Sequence, residues 1–415
     1  MINASRNFYP ANARAYDDKR STFVIDDARA YFAASGKKFD LIVSEPSNPW
    51  VSGVSGLFTA EFYERITHYL TPNGVFAQWL HLYEIDDALL LSVMSALSQH
   101  FPTYSIFQIS NRDIILVATT RAALPAPDWS IFQSRALAGD LKRVWPITAH
   151  TMETLRVADS KSLMPLVRMA GNPNSDFYPT LDLNAERTRY MKIDAEGFVG
   201  LASGRVNFAA MIDGHRNGPG DSYAVVTGIP RLQAMAAAAG LRTGDSRAGA
   251  DVALIAARRQ MLEAEMSSGK APGDWQVWVQ SVAWVEAGVH GGMAGMADTA
   301  FYGSLYAYLE RAHAPATARA SIDFLYGLAT WDYPKAARAA DPLIAEGERG
   351  QLWLDGDELR DGAVIAKLAV GDRAGARAAF RGLISRSARK ITDLRTRLLF
   401  SYIADTADTK RLAAK

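Results

Sequence analysis

The chain has 415 residues, 49% of them hydrophobic and 21% charged, enough for two to three folded domains. Its 45 Lys and Arg against 44 Asp and Glu leave a net charge of +1, which excludes a chain-wide electrostatic grip on nucleic acid or anionic lipid. The lack of cysteine excludes disulfides, thiolate catalysis and Cys-based metal centres, and no run of 18 apolar residues is present to span a membrane. The opening MINASRNFYPANARAYDD lacks the basic-then-apolar form of a secretory signal, so the expected localisation is cytoplasmic.

The first 120 residues alternate strand-like and helix-like runs. Thr22–Ile25 is a short β-branched run, and Asp27–Ala34 reads as helix. Phe39–Val43 is an apolar run between Gly36 and Pro46, which fits a strand buried on both faces. Ser47–Gly56 is a loop broken by Pro49, Gly53 and Gly56. Thr59 opens a helix with Glu61 in its first turn, running to about Leu70. Thr71–Gly74 is a turn, and Val75–Leu80 is the next strand. Asp86 and Asp87 start a helix through His100. Tyr104–Ile109 and Ile114–Thr119 form a hairpin around Ser110–Asp113. This order predicts an α/β sheet over residues 1–120.

Residues 121–212 read as an extension and connection, with a turn-rich, extended stretch at Asn172–Glu186. Asp213–Gly228 is the clearest linker, and residues 229–415 are alanine-rich and helical. Within them Leu328, Ala329, Asp332, Ala336, Ala339 and Leu343 recur forty residues later as Leu368, Ala369, Asp372, Ala376, Ala379 and Leu383. Small residues at these spacings suit two closely packed helices, and the pattern resembles a tetratricopeptide-like array of helical hairpins.

The segment that carries chemistry is Phe39–Tyr83. A strand delivers Glu45 at its carboxyl end, where open α/β sheets bind ligands, and Ser47 and Asn48 follow in the loop. Its ordered motifs are Glu45-Pro46-Ser47-Asn48-Pro49, Leu57-Phe58, Glu61-Phe62-Tyr63, Pro72-Asn73-Gly74 and Gln78, preceded by Ile25-Asp26-Asp27-Ala28. Together they resemble the spermidine/spermine synthase family, the aminopropyltransferases built on a methyltransferase-type, Rossmann-like sheet. The Glu-Pro-Ser-Asn-Pro-Trp form, with Asn174–Asp182 downstream, is similar to a bacterial subgroup of large synthase-like proteins. Members of that subgroup often carry an N-terminal membrane region and helical C-terminal additions. The resemblance spans roughly residues 8–200.

This resemblance implies transfer of an aminopropyl group from decarboxylated S-adenosylmethionine to a polyamine. It makes Glu45 the base that deprotonates the acceptor amine, since such a base must reach that proton directly. It places Ser47, Asn48 and Gln78 at the substrate, and Asp27 and Ala28 at the adenine of the co-substrate. Asn48 stands where the family has a second acid, so one charge that would hold a polycation is lost. Independently of the family, Asp27 is a natural helix N-cap, a role compatible with an adenine contact.

The family's sheet begins with a strand, a glycine-rich loop and an acid-ended strand. The chain's first glycine is Gly36, and Arg6–Pro10 resembles the segment that follows the second strand. The first two strands and their loop are therefore expected to be absent, so that the chain binds S-adenosyl ligands poorly. Their loss would leave a gap of roughly 10 Å at ~4.8 Å per strand. Either Thr22–Ile25 re-pairs with Phe39–Val43 or that edge stays open.

The remaining signals read as structural. The seven histidines show no metal-ligand spacing, so no metal site is expected. Tyr16, Trp79 and Tyr83 fit packing better than a pocket, and Trp275, Trp278 and Trp284 at helical spacing fit a core. Gly218-Pro-Gly220 lacks the context of a phosphate loop, and Arg386–Lys390 reads as a solvated helix end. Three readings follow: a synthase-like transferase domain impaired by loss of its cofactor loop, a non-catalytic interaction protein whose helical repeats bind a protein partner, and an S-adenosylmethionine-dependent methyltransferase of unknown acceptor.

Overall fold

The computed structural model describes residues 2–51, 53–109, 112–134, 156–201, 249–290, 299–330, 332–384 and 394–404. Short helical turns at Ile2–Ser5 and Ala13–Asp17 lead to helix α1 (Ala28–Ser35). Strand β1 (Phe39–Ser44), helix α2 (Ala60–Tyr69), strand β2 (Leu70–His81) and helix α3 (Asp87–His100) follow. Strands β3 (Thr103–Gln108), β4 (Asp113–Thr119) and β5 (Arg156–Asp159) complete a five-stranded sheet of order β1-β2-β4-β3-β5. Only β1 and β2 are parallel; the other pairs are antiparallel. This mixed α/β sheet is consistent with a Rossmann-like fold.

The helix starts are set by side chains that accept the free amide protons of the first turn. Asp27 accepts from the N–H of Ala30 at 2.9 Å, Thr59 from Phe62 at 3.2 Å and Asp86 from Leu89 at 2.8 Å. Gly36 ends α1 at φ 59°, a left-handed conformation that favours glycine. The expected hairpin forms, with Gln108 opposite Ile114. The turn expected at Thr71–Gly74 lies within β2 as an irregularity: Phe39 pairs with Leu70 and Leu41 already with Val75. Alternation along β2 buries Phe76, Gln78 and Leu80 on one face, where Phe76 meets Phe62 and Tyr63 of α2 and stacks on Phe101 at 5.6 Å.

Three expectations need correction. Thr22–Ile25 is not a strand; it is extended, unpaired and exposed, with Ile25 at 89% accessibility. β-branched residues favour a strand only where a neighbour supplies hydrogen bonds and a packing surface. Secondly, β1 is not buried on both faces. Ile42 faces the core while Leu41 and Val43 are exposed, and among the described residues β1 pairs with β2 alone, so its outer edge is open. Thirdly, Asn172–Glu186 is extended only at its start, since helix α5 occupies Thr180–Met191.

Beyond α4 (Ser160–Met169), α5 and α6 (Glu196–Leu201), helices α7 (Gly249–Ser268), α8 (Trp275–His290) and α9 (Thr299–Arg311) precede two hairpins. These are α10 (Ala316–Ala329) with α11 (Tyr333–Glu348), and α12 (Gly356–Ala369) with α13 (Arg373–Ile384). Corresponding helices start forty residues apart. Asp332 and Asp372 each cap the second helix of their hairpin, accepting from Lys335 at 3.0 Å and Gly375 at 2.8 Å. Ala336, Ala376, Leu343 and Leu383 are all buried. At Gly327 an added Cβ would lie 2.7 Å from the Ala336 nitrogen, which explains a small residue there.

The last helix among the described residues, α14 (Leu394–Ile403), packs on α4 and α6, and the Tyr402 hydroxyl donates to the Ser162 carbonyl at 2.5 Å. Trp275 and Trp278 pack inward on Tyr308, whereas Trp284 is 46% exposed, against the core reading. No helix among the described residues is long and apolar enough to cross a membrane. The expected linker, Gly218-Pro-Gly220 and Arg386–Lys390 lie outside the described residues.

Candidate active site

The loop from Glu45 to Gly56 leaves the carboxyl end of β1 and returns through a 3-10 turn at Ser55–Phe58. A cavity of about 700 Å³ lies beside its start, between α1, β1 and α2. Ala28, Phe32, Ile42, Glu45, Leu57 and Ile66 are among its lining residues. The walls are mainly apolar and the rim carries charge, the composition expected of a small-molecule site. Two residues singled out from the sequence, Glu45 and Ala28, therefore converge on one space from opposite sides. Asp27 stands next to it, and its side chain caps α1.

The other sequence candidates lie elsewhere. Ser47 is exposed on the loop. Asn48 turns toward the segment that follows β2, where its Oδ1 accepts from the Tyr83 hydroxyl at 3.2 Å. Gln78 is fully buried and its amide is used within the protein. Its Oε1 accepts from the Tyr63 hydroxyl at 2.7 Å, and its Nε2 donates to the Leu57 carbonyl at 3.0 Å and to Ser44 Oγ at 3.4 Å. Burial raises the Tyr63 hydroxyl pKa, so it remains a neutral donor.

The cavity's frame is held by residues to which sequence reasoning gave no site role, although it marked the Asn174–Asp182 segment and Glu61 as parts of motifs. Arg29 of α1 donates to the Gly56 carbonyl. Asn174, buried, donates to the Phe58 carbonyl at 2.9 Å and accepts from Leu181 at 3.0 Å. Asp182 accepts from Ser55 Oγ at 2.7 Å, and the Asp176 amide donates to Glu61 at 2.9 Å. The Asn174–Asp182 segment thus seats the loop's return and the start of α2, a tertiary role that no local pattern announces. Tyr63 did lie within the Glu-Phe-Tyr motif.

Beyond the loop tip, Trp50, Trp79, His81 and Tyr83 form an aromatic cluster, with His81 centred 5.0 Å from Trp50 and 4.7 Å from Tyr83. Guanidinium groups cover its outer faces: Arg189 lies 5.2 Å from the Trp50 ring and Arg112 5.8 Å from that of Tyr83. His81 is 1% exposed and neither ring nitrogen has a hydrogen-bond partner. Burial lowers its pKa to about 4, against an upward pull from Asp113, so the ring is neutral at pH 7. Glu84 follows at φ 55°, held there by its N–H to Asp194 at 2.8 Å and by the Thr188 hydroxyl on its carbonyl at 2.9 Å. Tyr16 packs instead near the start of the chain, 5.2 Å from Phe23. No cluster of three metal-ligating side chains occurs among the described residues.

Residues 1–112 match the spermine/spermidine synthase domain. The chain is similar to a polyamine aminopropyltransferase of Thermoplasma volcanium, 36% identical over 75 residues, covering 18% of this chain and 27% of the relative. It is 33% identical over 109 residues to that of Serratia proteamaculans, covering 26% and 38%, respectively. It is 30% identical over 159 residues to that of Escherichia coli, covering 36% and 55%. The chain therefore spans between about a quarter and about half the length of these relatives.

Proposed function

We propose that this chain, whose residues 1–112 match the spermine/spermidine synthase domain, carries an aminopropyl-transfer site at the cavity shared by Ala28 and Glu45. That convergence is the observation that carries the reading. The apolar faces of Phe32, Ala33, Ile42 and Leu57 suit a flat nucleoside, and Ala28 leaves room for it at the start of α1. Decarboxylated S-adenosylmethionine would supply the electrophilic carbon beside its sulfonium. The acceptor nitrogen forms a bond to that carbon, the C–S bond breaks with its electron pair leaving on methylthioadenosine, and Glu45 takes the ammonium proton.

Asp27 holds the end of α1 and supplies an acceptor for the nucleoside amino group. By the family resemblance, Ser47 and Asn48 would meet the acceptor, although neither lines the cavity. Among the described residues no glycine lines this cavity, so its hold on the nucleoside rests on the apolar walls. The test is product formation from millimolar decarboxylated S-adenosylmethionine and 1,4-diaminobutane. Slow release of methylthioadenosine, lost in Glu45→Gln, supports the reading; no release by the unaltered chain overturns it.

A second reading rests on the two hairpins forty residues apart, α10–α11 and α12–α13. Such a tetratricopeptide-like pair would present a surface to a protein partner, and residues 229–415 would then be the interacting domain. A methyltransferase acting on another acceptor has no specific observation in its favour. Cytoplasmic location remains an expectation from the sequence alone.

A further inference from the structure

We infer that Gln78 is a positioning residue, oriented by Tyr63, that cinches both ends of the loop bearing Glu45. The inference rests on the transfer site proposed above for its functional meaning, but not for its geometry. One amide nitrogen reaches Ser44, the residue before Glu45, and Leu57, the residue after Gly56. The twelve-residue segment Glu45–Gly56 thus leaves and returns past a single side chain on the neighbouring strand. Leu57 also lines the cavity, so the same amide fixes one wall and the strand end that carries the base.

The geometry fits a clasp better than a substrate contact. Gln78 has no exposed surface, and its polar atoms already have three partners: Tyr63, Leu57 and Ser44. A substrate would have to displace bonds inside the core to reach it, leaving a buried group unpaired. The Tyr63 hydroxyl on Oε1 selects the amide orientation in which Nε2 faces the loop ends. Tyr63 is itself packed between Phe62, Phe76 and Phe101, which leaves the hydroxyl little freedom. Two residues past the end of β2, Tyr83 holds Asn48, so the strand and its continuation grip the loop at its base and nearer its middle.

Backbone bonds inside the loop report the clasp directly. The amide of Val51 donates to Asn48, that of Val54 to Val51 and that of Leu57 to Val54, at 2.9–3.0 Å. The test is amide hydrogen exchange in Gln78→Met and in the milder Tyr63→Phe, together with methylthioadenosine titration. In Gln78→Met, exchange at Val51, Val54 and Leu57 is expected to accelerate at least about tenfold while Ile106 and Leu116 in β3 and β4 keep their rates. Tyr63→Phe is expected to give a smaller change at the same positions, and nucleoside affinity should weaken in the same order. Unchanged loop amides, or equal acceleration in loop and sheet, overturns the inference. If Gln78→Met does not fold, Tyr63→Phe decides by the same pattern. If the unaltered chain shows no binding of methylthioadenosine, the transfer reading fails while the exchange pattern still decides whether the clasp exists.

Discussion

The Tyr83 hydroxyl donates to Asn48 Oδ1 at 3.2 Å, so the position where an acid is expected in the family's signature is occupied by a neutral acceptor already in use. An aspartate would keep that bond and strengthen it, because charged acceptors form shorter, stronger hydrogen bonds. It would also restore a charge for an ammonium group. Asn48→Asp is therefore predicted to raise affinity for 1,4-diaminobutane about tenfold, or about 1.4 kcal/mol, with little change for 1-aminobutane. Calorimetry with both amines in the presence of methylthioadenosine checks it.

Asp27 permits its two roles to be separated. Asp27→Ala removes the N-cap on Ala30 and should cost about 1 kcal/mol. Asp27→Asn caps nearly as well, so it should leave the unfolding midpoint within experimental scatter. If the carboxylate also contacts the nucleoside, Asp27→Asn lowers methylthioadenosine affinity without loss of stability. Equal affinity for both forms would leave Asp27 a cap alone.

His81 makes stability depend on pH. Its ordinary pKa of 6.5 applies in the unfolded chain and about 4 in the folded one, so the unfolded state binds more protons between these values. Stability from this residue is full above about pH 6.5 and is lost as pH falls towards 4. The loss by pH 4.5 should be about 2–3 kcal/mol. Denaturant melts at pH 7 and 4.5 should show that His81→Phe, which fills the same aromatic cluster without a titrating group, removes most of the difference.

In the helical region Arg360 is fully buried between Asp361 at 2.7 Å and Asp357 at 3.1 Å, with Thr396 of α14 at 3.2 Å. Arg360→Leu leaves buried carboxylates without their cation and should cost about 3–5 kcal/mol. Replacing Asp361 by Leu as well should recover part of that loss, since a buried charge group is then removed. Thermal melts of the single and double variants give the comparison.

Local chemistry was legible in the sequence where one residue decides one event. The helix starts at Asp27, Thr59 and Asp86 and the β3–β4 hairpin were readable because turn and cap chemistry act over a few residues. The forty-residue correspondence also survived, down to the matching caps Asp332 and Asp372. Partner-dependent features were not legible. Thr22–Ile25 has a strand's composition, but no neighbour among the described residues supplies its hydrogen bonds. The apolar run of β1 reads as doubly buried, yet apolar composition does not reveal that Leu41 and Val43 face outward. Glu45 and Ala28, which family motifs mark, both line the cavity. Gln78 was marked by the same motifs, but its engagement with Tyr63, Ser44 and Leu57 is a tertiary fact. The anchoring by Asn174 and Asp182 joins residues more than a hundred positions apart, beyond the range of spacing arguments.

The central claim is that the space between α1 and β1 receives the nucleoside end of the donor. Methyl-selective NMR of the full chain during titration with methylthioadenosine to millimolar concentration tests it most directly, because weak binding still shifts signals. The account predicts saturable shifts confined to Ala28, Ala33, Ile42, Val43 and Leu57. Absence of shifts at these methyls, or shifts centred instead on the cleft of Met261, Leu262 and Val277 between α7 and α8, would contradict it.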